Sequence, residues 1–553
     1  MNDIRRTILW VIFGFSMVLL WDKWQVHNGN KAMFFPSSAP AATAAAEGAA
    51  KPAVAGSAAV PTSASNATAQ LPAAGAVAAP APRQSVEVTT DVFKLTFDSE
   101  GGSLVKAELL KYSDVEHKDR SVVLLDDSKD RVYVAQTGLI GGGFPTHKTP
   151  MNVVPGPRTL KDGESELTVR FESPDLGGVK LIKTYTLRRG AYDLAVKHEV
   201  QNTGSAAVTP QIYFQLVRDG NKPPGESSFY STFTGPAVYT EAKKYQKVEF
   251  KDIENGKADI QKESANGYVA MVQHYFASAW LLADGVQRDL FMRKVDTNLY
   301  SVGMITTLPS IAPGASQSLD ARFYAGPEEE KKLEALSPGL ELVKDYGWLT
   351  ILAKPLYWLL DKIHGLLGNW GWSIVGLVVL LKAAFFWLNA KAYSSMAKMK
   401  AINPKITEMR ERLKDKPQQM QQEMMRIYRE EKVNPMGGCF PIMIQIPVFI
   451  ALYWVLLSSV EMRNAPWILW ITDLSAKDPL YILPVIMTGT SLLQTWLNPT
   501  PPDPMQAKMM WIMPLVFSVM FFAFPAGLVM YWITNNILSI AQQWVINKRL
   551  GVN

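Results

Sequence analysis

The chain has 553 residues, one cysteine, six histidines and a formal net charge of +6. A single thiol excludes an internal disulfide and a cysteine-based zinc site, and the histidines stand in no metal-ligand spacing. Most of the charge lies in the first two thirds, and the last third is strongly apolar, so a soluble region followed by a membrane region is expected.

The first element is TILWVIFGFSMVLLW (7–21), uncharged and preceded by Arg5 and Arg6. The nearest small-residue run begins near Ala39, too far away for ordinary signal cleavage. Trp21 and Trp24 suit a membrane interface, so residues 1–24 read as an uncleaved anchor with a cytoplasmic N-terminus. Residues 25–85 follow as a tether. Nearly half of 37–82 is alanine, and seven prolines between 36 and 82 break any alanine helix.

Residues 86–335 change to alternation. VEVTTDVFKLTF, ELTVRFES, VKLIKTYTLRRG, YDLAVKHEVQNTG, QIYFQLVRDG and LYSVGMITTLP are short runs rich in Val, Thr, Tyr and Phe. Gly, Pro and Asn punctuate them, as in the turn signal DSEGG. A β-sandwich is expected, large enough to need no disulfide. Within 336–368, Leu352, Leu356, Leu359, Leu360, Ile363, Leu366 and Leu367 recur at helical steps, away from Lys354, Asp361 and Lys362. This predicts an amphipathic helix lying on the membrane surface.

Five apolar runs complete the chain, at 369–391, 437–460, 479–497, 509–524 and 525–547. Each approaches the length that crosses about 30 Å of hydrocarbon. The last two are parted by Phe524–Pro525–Ala526–Gly527. With the anchor this predicts six spans, both termini cytoplasmic, and the β-sandwich on the outer face. The segment 392–436, the loop 498–508 and the tail 548–553 then lie inside, and the loop 461–478 lies outside. Residues 391–432 hold eleven Lys or Arg against six Asp or Glu, as an inner loop requires. Met396, Met399, Ile402, Ile406, Met409 and Leu413 mark one arm of a helical hairpin there, kinked at Pro404. Met420, Met424 and Ile427 mark the other. Its basic residues Lys398, Lys405, Arg410, Arg412 and Lys414 form either a solvated, topology-setting face or a docking surface.

One charge stands out. In VVLLKAAFF (378–386), Lys382 lies nine residues from Lys391, roughly 13 Å into the bilayer. A central lysine there costs about 2.5–3.5 kcal/mol. No Asp, Glu or His lies within the other C-terminal apolar stretches to relieve it, which argues against a proton-coupled pump. Neutral polar groups are plentiful, among them Gln445, Gln494, Thr534, Asn535, Asn536 and Ser539. Enough of them would line a wet cavity that solvates the ammonium, and simple snorkelling is the alternative.

NPMGGCFPIMIQIPVFIALYWVL (434–456), APWILWITDLSAKDPLYILP (465–484), DPMQAKMMWIMP (503–514) and FPAGLVMYWITNN (524–536) closely resemble the YidC/Oxa/Alb membrane protein insertases. The anchor, tether and β-domain resemble the arrangement of Gram-negative members. The resemblance implies a polytopic α-helical inner-membrane protein with a large periplasmic β-sandwich (a mutarotase-like super-sandwich) and a cytoplasmic helical hairpin. It implies a hydrophilic groove open to the cytoplasm and to lipid, with Lys382 as its positive charge and Gln445, Thr534, Asn535 and Asn536 as polar lining. Phe517, Tyr531 and Trp532 would be the aromatics along which a client's apolar segment slides past the third and fifth spans. Nascent membrane proteins, the bilayer, the Sec translocon, the ribosome and the signal-recognition targeting receptor would be the partners. No covalent chemistry, metal, cofactor or nucleic-acid reading is implied. There are two departures from the family pattern: many relatives carry arginine where Lys382 stands, and the chain ends at NKRLGVN without a long basic tail. The competing expectations are a small-solute transporter, which needs a coupling acid in a span, and an envelope sugar enzyme using His198, His274 or Asp193 of the β-domain.

Overall fold

The computed structural model describes residues 83–115, 117–224, 232–413, 416–431, 440–498 and 504–549. The anchor, the tether, Lys414, Cys439 and the last residues lie outside them. The described chain divides near residue 345 into a β unit and a helical unit.

The β unit is two nine-stranded sheets of antiparallel pairs. Strand Glu166–Glu172 alternates exposed and buried side chains, whereas Tyr268–Gln273 and Phe276–Leu282 are buried along their whole length. Alternation therefore marks strands with one wet face, and continuous apolar runs mark the centre. The segment 86–97 is two strands, Ser85–Thr89 and Phe93–Asp98. They are folded back on each other because Thr90 Oγ1 accepts from the amides of Val92 (3.3 Å) and Phe93 (3.0 Å). At DSEGG the chain turns through Gly101, whose φ is +70° and whose missing Cβ would collide with the His147 carbonyl oxygen. Two short helices, α1 (Phe250–Glu254) and α2 (Glu330–Leu336), flank this unit's last strands along the chain.

The interior holds a cationic side chain. Lys183 Nζ donates to the carbonyls of Gly101 (2.6 Å) and Thr137 (2.7 Å), crossing from one sheet to the other. His198, equally buried, bonds Thr137 Oγ1 at 2.9 Å. Burial pushes Lys183 down to about 7 from 10.5. Burial first, and then the Lys183 charge, holds His198 well below 6.5. A neutral amine has two N–H donors and satisfies both carbonyls. Between pH 7 and 10.5 the unfolded lysine keeps a proton that the folded one has released, so stability rises with pH through that window, and the penalty is full below it. The unfolding midpoint of the β unit is therefore expected to climb from about pH 7 to about pH 9. Lys183→Met should flatten that climb in calorimetry, and an unchanged slope would remove Lys183 as its cause.

The helical unit contains α3 (Thr350–Leu367), α4 (Trp370–Ala384), α5 (Phe386–Arg412), α6 (Pro417–Glu430), α7 (Phe440–Ser458), α8 (Ile482–Leu497), α9 (Pro504–Phe521) and α10 (Ala526–Arg549). Its core gathers Leu360 of α3, Leu377 of α4, Val455 of α7, Met487 of α8 and Met530 of α10. α3 buries Ala353, Tyr357, Leu360 and Ile363. Ile351, Trp358, Leu366 and Leu367 stay exposed, so the leucine stripe is split between a packed face and an open one.

Among the described residues no single helix is long and apolar enough to cross a membrane. The pair α4 and α5 together has that length but bends by 69° at Phe385. The shorter apolar helices are Gln445–Ser458, Ile482–Leu497 and Ala507–Phe521. α5 runs as one helix through Pro404, so the chain does not break there. The break sits instead where Phe385 leaves helical geometry at φ −91°, ψ 7°.

The hairpin of α5 and α6 closes on Ile402, Ile406 and Met409, with Met420, Met424 and Ile427 packed across. Met396 does not join this seam. It faces a cavity farther up α5.

Candidate functional site: a polar cavity among the helices

α4, α5, α7, α8 and α10 line a cavity of about 350 Å³. A water occupies roughly 30 Å³ of liquid, so the space holds several. α10 supplies its wall at Tyr531, Trp532, Asn535, Asn536 and Ser539, steps of one, three and four that keep one helix face inward. Lys382 enters from α4, Asn389 and Tyr393 from α5, Gln445 from α7, and Gln494 from α8.

Lys382 Nζ donates to Ser539 Oγ at 2.7 Å and makes no ion pair among the described residues. The Gln445 amide bonds the Asn389 amide across the wall. Asn536 Nδ2 donates to Ser491 Oγ (2.9 Å) and Thr490 Oγ1 (3.2 Å) on α8. The polar wall is thus tied together by neutral groups. The apolar end is aromatic: Phe449 stands edge-on to Trp532 with ring centres 4.4 Å apart, and Phe521 lies 5.2 Å from the same indole. The wall thus combines an ammonium, amides and aromatics.

Of the residues singled out from sequence, Lys382, Gln445, Tyr531, Trp532, Asn535 and Asn536 meet on this cavity. Thr534 does not: it points off the inward face of α10 and its hydroxyl donates to the Met530 carbonyl at 2.9 Å. Phe517 does not either: it is exposed on α9, away from the wall. Asn389 and Tyr393 join the wall without having been expected there, and Ser539, one polar residue among many in its stretch, proves to be the lysine's partner. Asn389 and Tyr393 stand seven and eleven residues after Lys382, but the bend at Phe385 lies between, so sequence spacing alone does not put them on its face. Ser539 stands three and four residues after Asn536 and Asn535. In the hairpin, Lys398 is exposed, Lys405 pairs with Glu431 at 2.5 Å and Arg412 with Glu423 at 3.6 Å, so two of the expected docking cations are engaged within the hairpin itself. Arg410 is half-buried between them along α5.

The far end of the helical unit is tied shut. Asn369 caps α4 by accepting from the Trp372 amide (3.0 Å) and donates to the Pro466 carbonyl (3.1 Å). Trp467 lies on Gly371, where any Cβ would collide with its ring. The Ala526 and Gly527 amides at the start of α10 bond the carbonyls of Ala476 (2.8 Å) and Leu474 (2.9 Å). The buried Asp478 carboxylate accepts from Trp470 Nε1 (3.0 Å) and from the amides of Leu480 (3.0 Å) and Leu483 (2.7 Å) at the start of α8.

The β unit offers no comparable site among its described residues. His198 is sealed between the sheets, Asp193 faces Arg322 at 3.7 Å, and His274 stacks on Tyr275 at a turn.

Two family models match the chain: the YidC periplasmic domain over residues 85–359, and the 60Kd inner membrane protein over residues 362–552. Proteins described as membrane protein insertase YidC match it end to end. That of Cupriavidus metallidurans is 57% identical, covering 99% of this chain and 98% of its own. That of Ralstonia nicotianae is 56% identical, covering 100% and 99%. A crystal structure of an active YidC insertase is similar at 19% identity, covering 84% of this chain and 92% of its own, with a TM-score of 0.39. A galactose mutarotase-like protein of Lactobacillus casei is similar at 11% identity, covering 44% of this chain and 100% of its own, with a TM-score of 0.28. With both halves matched by family models and relatives above 50% identity along the whole length, this chain belongs to the YidC family of membrane protein insertases.

Proposed function

We propose that this protein inserts membrane proteins by receiving a client's polar tail in the cavity around Lys382 while the client's apolar segment leaves into lipid. It is an inner-membrane insertase with a periplasmic domain, not an enzyme. The observation that carries the mechanism is Lys382 itself: an ammonium on a roomy polar wall, bonded to a neutral serine and to no acid among the described residues.

Six spans with both termini in the cytoplasm would place the tied end of the helical unit toward the periplasm and the hairpin toward the cytoplasm. A client tail then enters from the hairpin side and meets a shut floor. Hydration of the cavity shortens the apolar path that tail must cross. The energy comes from burying the client's apolar segment in lipid, with membrane potential acting on charged tails. The open face of α3, with Trp358 and Leu366 exposed, fits the interfacial role. Lys398, Arg410 and Lys414 are candidates for contact with the ribosome or the targeting receptor, and the Sec translocon is a further candidate partner.

A stalled nascent client with photoreactive probes placed at Lys382, Gln445 and Trp532 tests this. Crosslinks from all three to the client's tail or first apolar segment are expected, with probes on exposed α9 positions facing away from the wall giving none from the tail. Tail crosslinks absent from Lys382 and Gln445 would overturn the route.

A further inference from the structure

We propose that Ser539 is a positioning residue, a neutral placeholder for the client's carboxylate that holds the Lys382 ammonium against α10 and sets how fast an acidic client is released. This role rests on the reading that Lys382 receives acidic tails.

Two bonds meet at one hydroxyl. Ser539 Oγ donates to the Asn535 carbonyl one turn earlier at 2.7 Å, so its single proton is committed to the backbone. Its lone pairs are left to accept, and Lys382 Nζ donates to them at 2.7 Å. Tyr393 lines the same cavity from α5. Ser539 is 2% exposed, so packing and the Asn535 bond fix its rotamer. The movable partner is the lysine, a compact charge on a four-carbon stem that can swing between acceptors, which a planar guanidinium fork does less readily.

The consequence is an exchange. A bond from an ammonium to a carboxylate is stronger than one to a hydroxyl, so an arriving acidic tail displaces Ser539. The tail must nevertheless compete with a bond already made, and the serine recaptures the ammonium when the client moves on. Without that competitor the resting ammonium would be less well satisfied and would hold a carboxylate longer. Serine suits the task better than aspartate or glutamate would, because a fixed anion would outcompete the client altogether.

The full chain is reconstituted in vesicles of phosphatidylethanolamine and phosphatidylglycerol. The client carries a photocrosslinker beside an aspartate in its tail, and a matched client carries asparagine there. The lifetime of the crosslinkable complex is followed for wild type, Ser539→Ala and Ser539→Thr. Alanine keeps the helix. Its ratio of aspartate-tail to asparagine-tail lifetime should rise about threefold to tenfold, the worth of one hydrogen bond. Threonine, which keeps the hydroxyl, should return the ratio to that of wild type. A ratio unmoved by alanine, or moved equally by threonine, overturns the placeholder role. Lys382→Met separates the two levels. If it leaves the ratio as in wild type, the reading of Lys382 fails. If it abolishes the difference between tails while Ser539→Ala does not change it, only the role of Ser539 fails.

Discussion

Lys382→Glu is expected to cut insertion of a client with an acidic tail about thirtyfold or more, and that of a matched neutral-tail client far less. Two unit charges 4 Å apart interact by about 1 kcal/mol in bulk water and about 4 kcal/mol at the effective dielectric of a protein surface. A hydrated cavity lies between these limits. Exchanging attraction for repulsion therefore shifts the acidic tail by about 2 to 8 kcal/mol. The neutral tail feels only the loss of one hydrogen-bond donor. The glutamate would also stand beside Ser539, which now accepts from the lysine at 2.7 Å and whose own proton is already committed to Asn535. The variant should gain on a client whose tail carries lysine in place of the acid, a reciprocal rescue that general damage to the fold would not give. Insertion into vesicles, scored by protease protection, reads all three clients. Equal losses for all of them would mean that Lys382 does not meet the client's charge.

Asp478→Ala is expected to destabilise the helical unit by about 3–5 kcal/mol, a severe loss for a single side chain. Its carboxylate is buried and accepts three hydrogen bonds, one from the Trp470 indole and two from backbone amides. Bonds to a charged acceptor are worth about 1.5–3 kcal/mol each and are not additive, and the alanine leaves buried donors unpaired. The amide of Leu483 belongs to the first turn of α8, where an anion is also favoured by the helix dipole. At roughly 2–4 °C per kcal/mol for a unit of this size, the thermal midpoint should fall by roughly 10 °C. Asp478→Asn keeps an acceptor oxygen and should lose less. Because the same loop carries Trp467 over Gly371 and pairs Leu474 and Ala476 with the start of α10, its loosening should also let small solutes leak through vesicles bearing the variant. A midpoint within error of wild type would show that Asp478 is not what holds this end together.

The two regions differed in what could be read from sequence. In the β unit, period-two runs such as ELTVRFE located strands directly, because one wet face forces alternation. Buried strands such as Tyr268–Gln273 lack that alternation, although the equally buried Gln211–Asp219 and Leu299–Thr307 were legible from their Val, Tyr and Phe content, and the split of 86–97 into a hairpin depended on a side-chain bond from Thr90 that periodicity does not record. In the helical unit, the apolar runs were plain, yet the bend at Phe385 was not, since no proline or glycine stands there. Pro404 lies inside α5, which continues through it as one helix.

The cavity divides in the same way. Lys382 was conspicuous because a charge inside an apolar run is costly wherever the helix packs. Gln445, Asn535 and Asn536 were visible as polar residues in apolar surroundings. Which of the neutral groups actually face the lysine was not visible, since many stood in the same stretches and hydropathy does not distinguish them. Thr534 and Phe517 turn away from the wall because inward and outward faces depend on the rotation of α9 and α10. Asn389 and Ser539 reach it only through the bend of α4 against α5 and the course of α10 beside them.

By itself, then, the sequence determined that this chain is a β-sandwich followed by apolar helices, and that one cation is stranded among them without an acid of its own. Both follow from one-dimensional rules, side-chain period and the cost of charge in hydrocarbon, which act residue by residue. The tertiary structure alone decided which neutral side chain takes that cation, which end of the helical unit is tied shut, and which polar residues turn away. Those depend on the rotation and bending of helices, which are fixed by contacts between residues more than a hundred positions apart, such as Lys382 with Ser539.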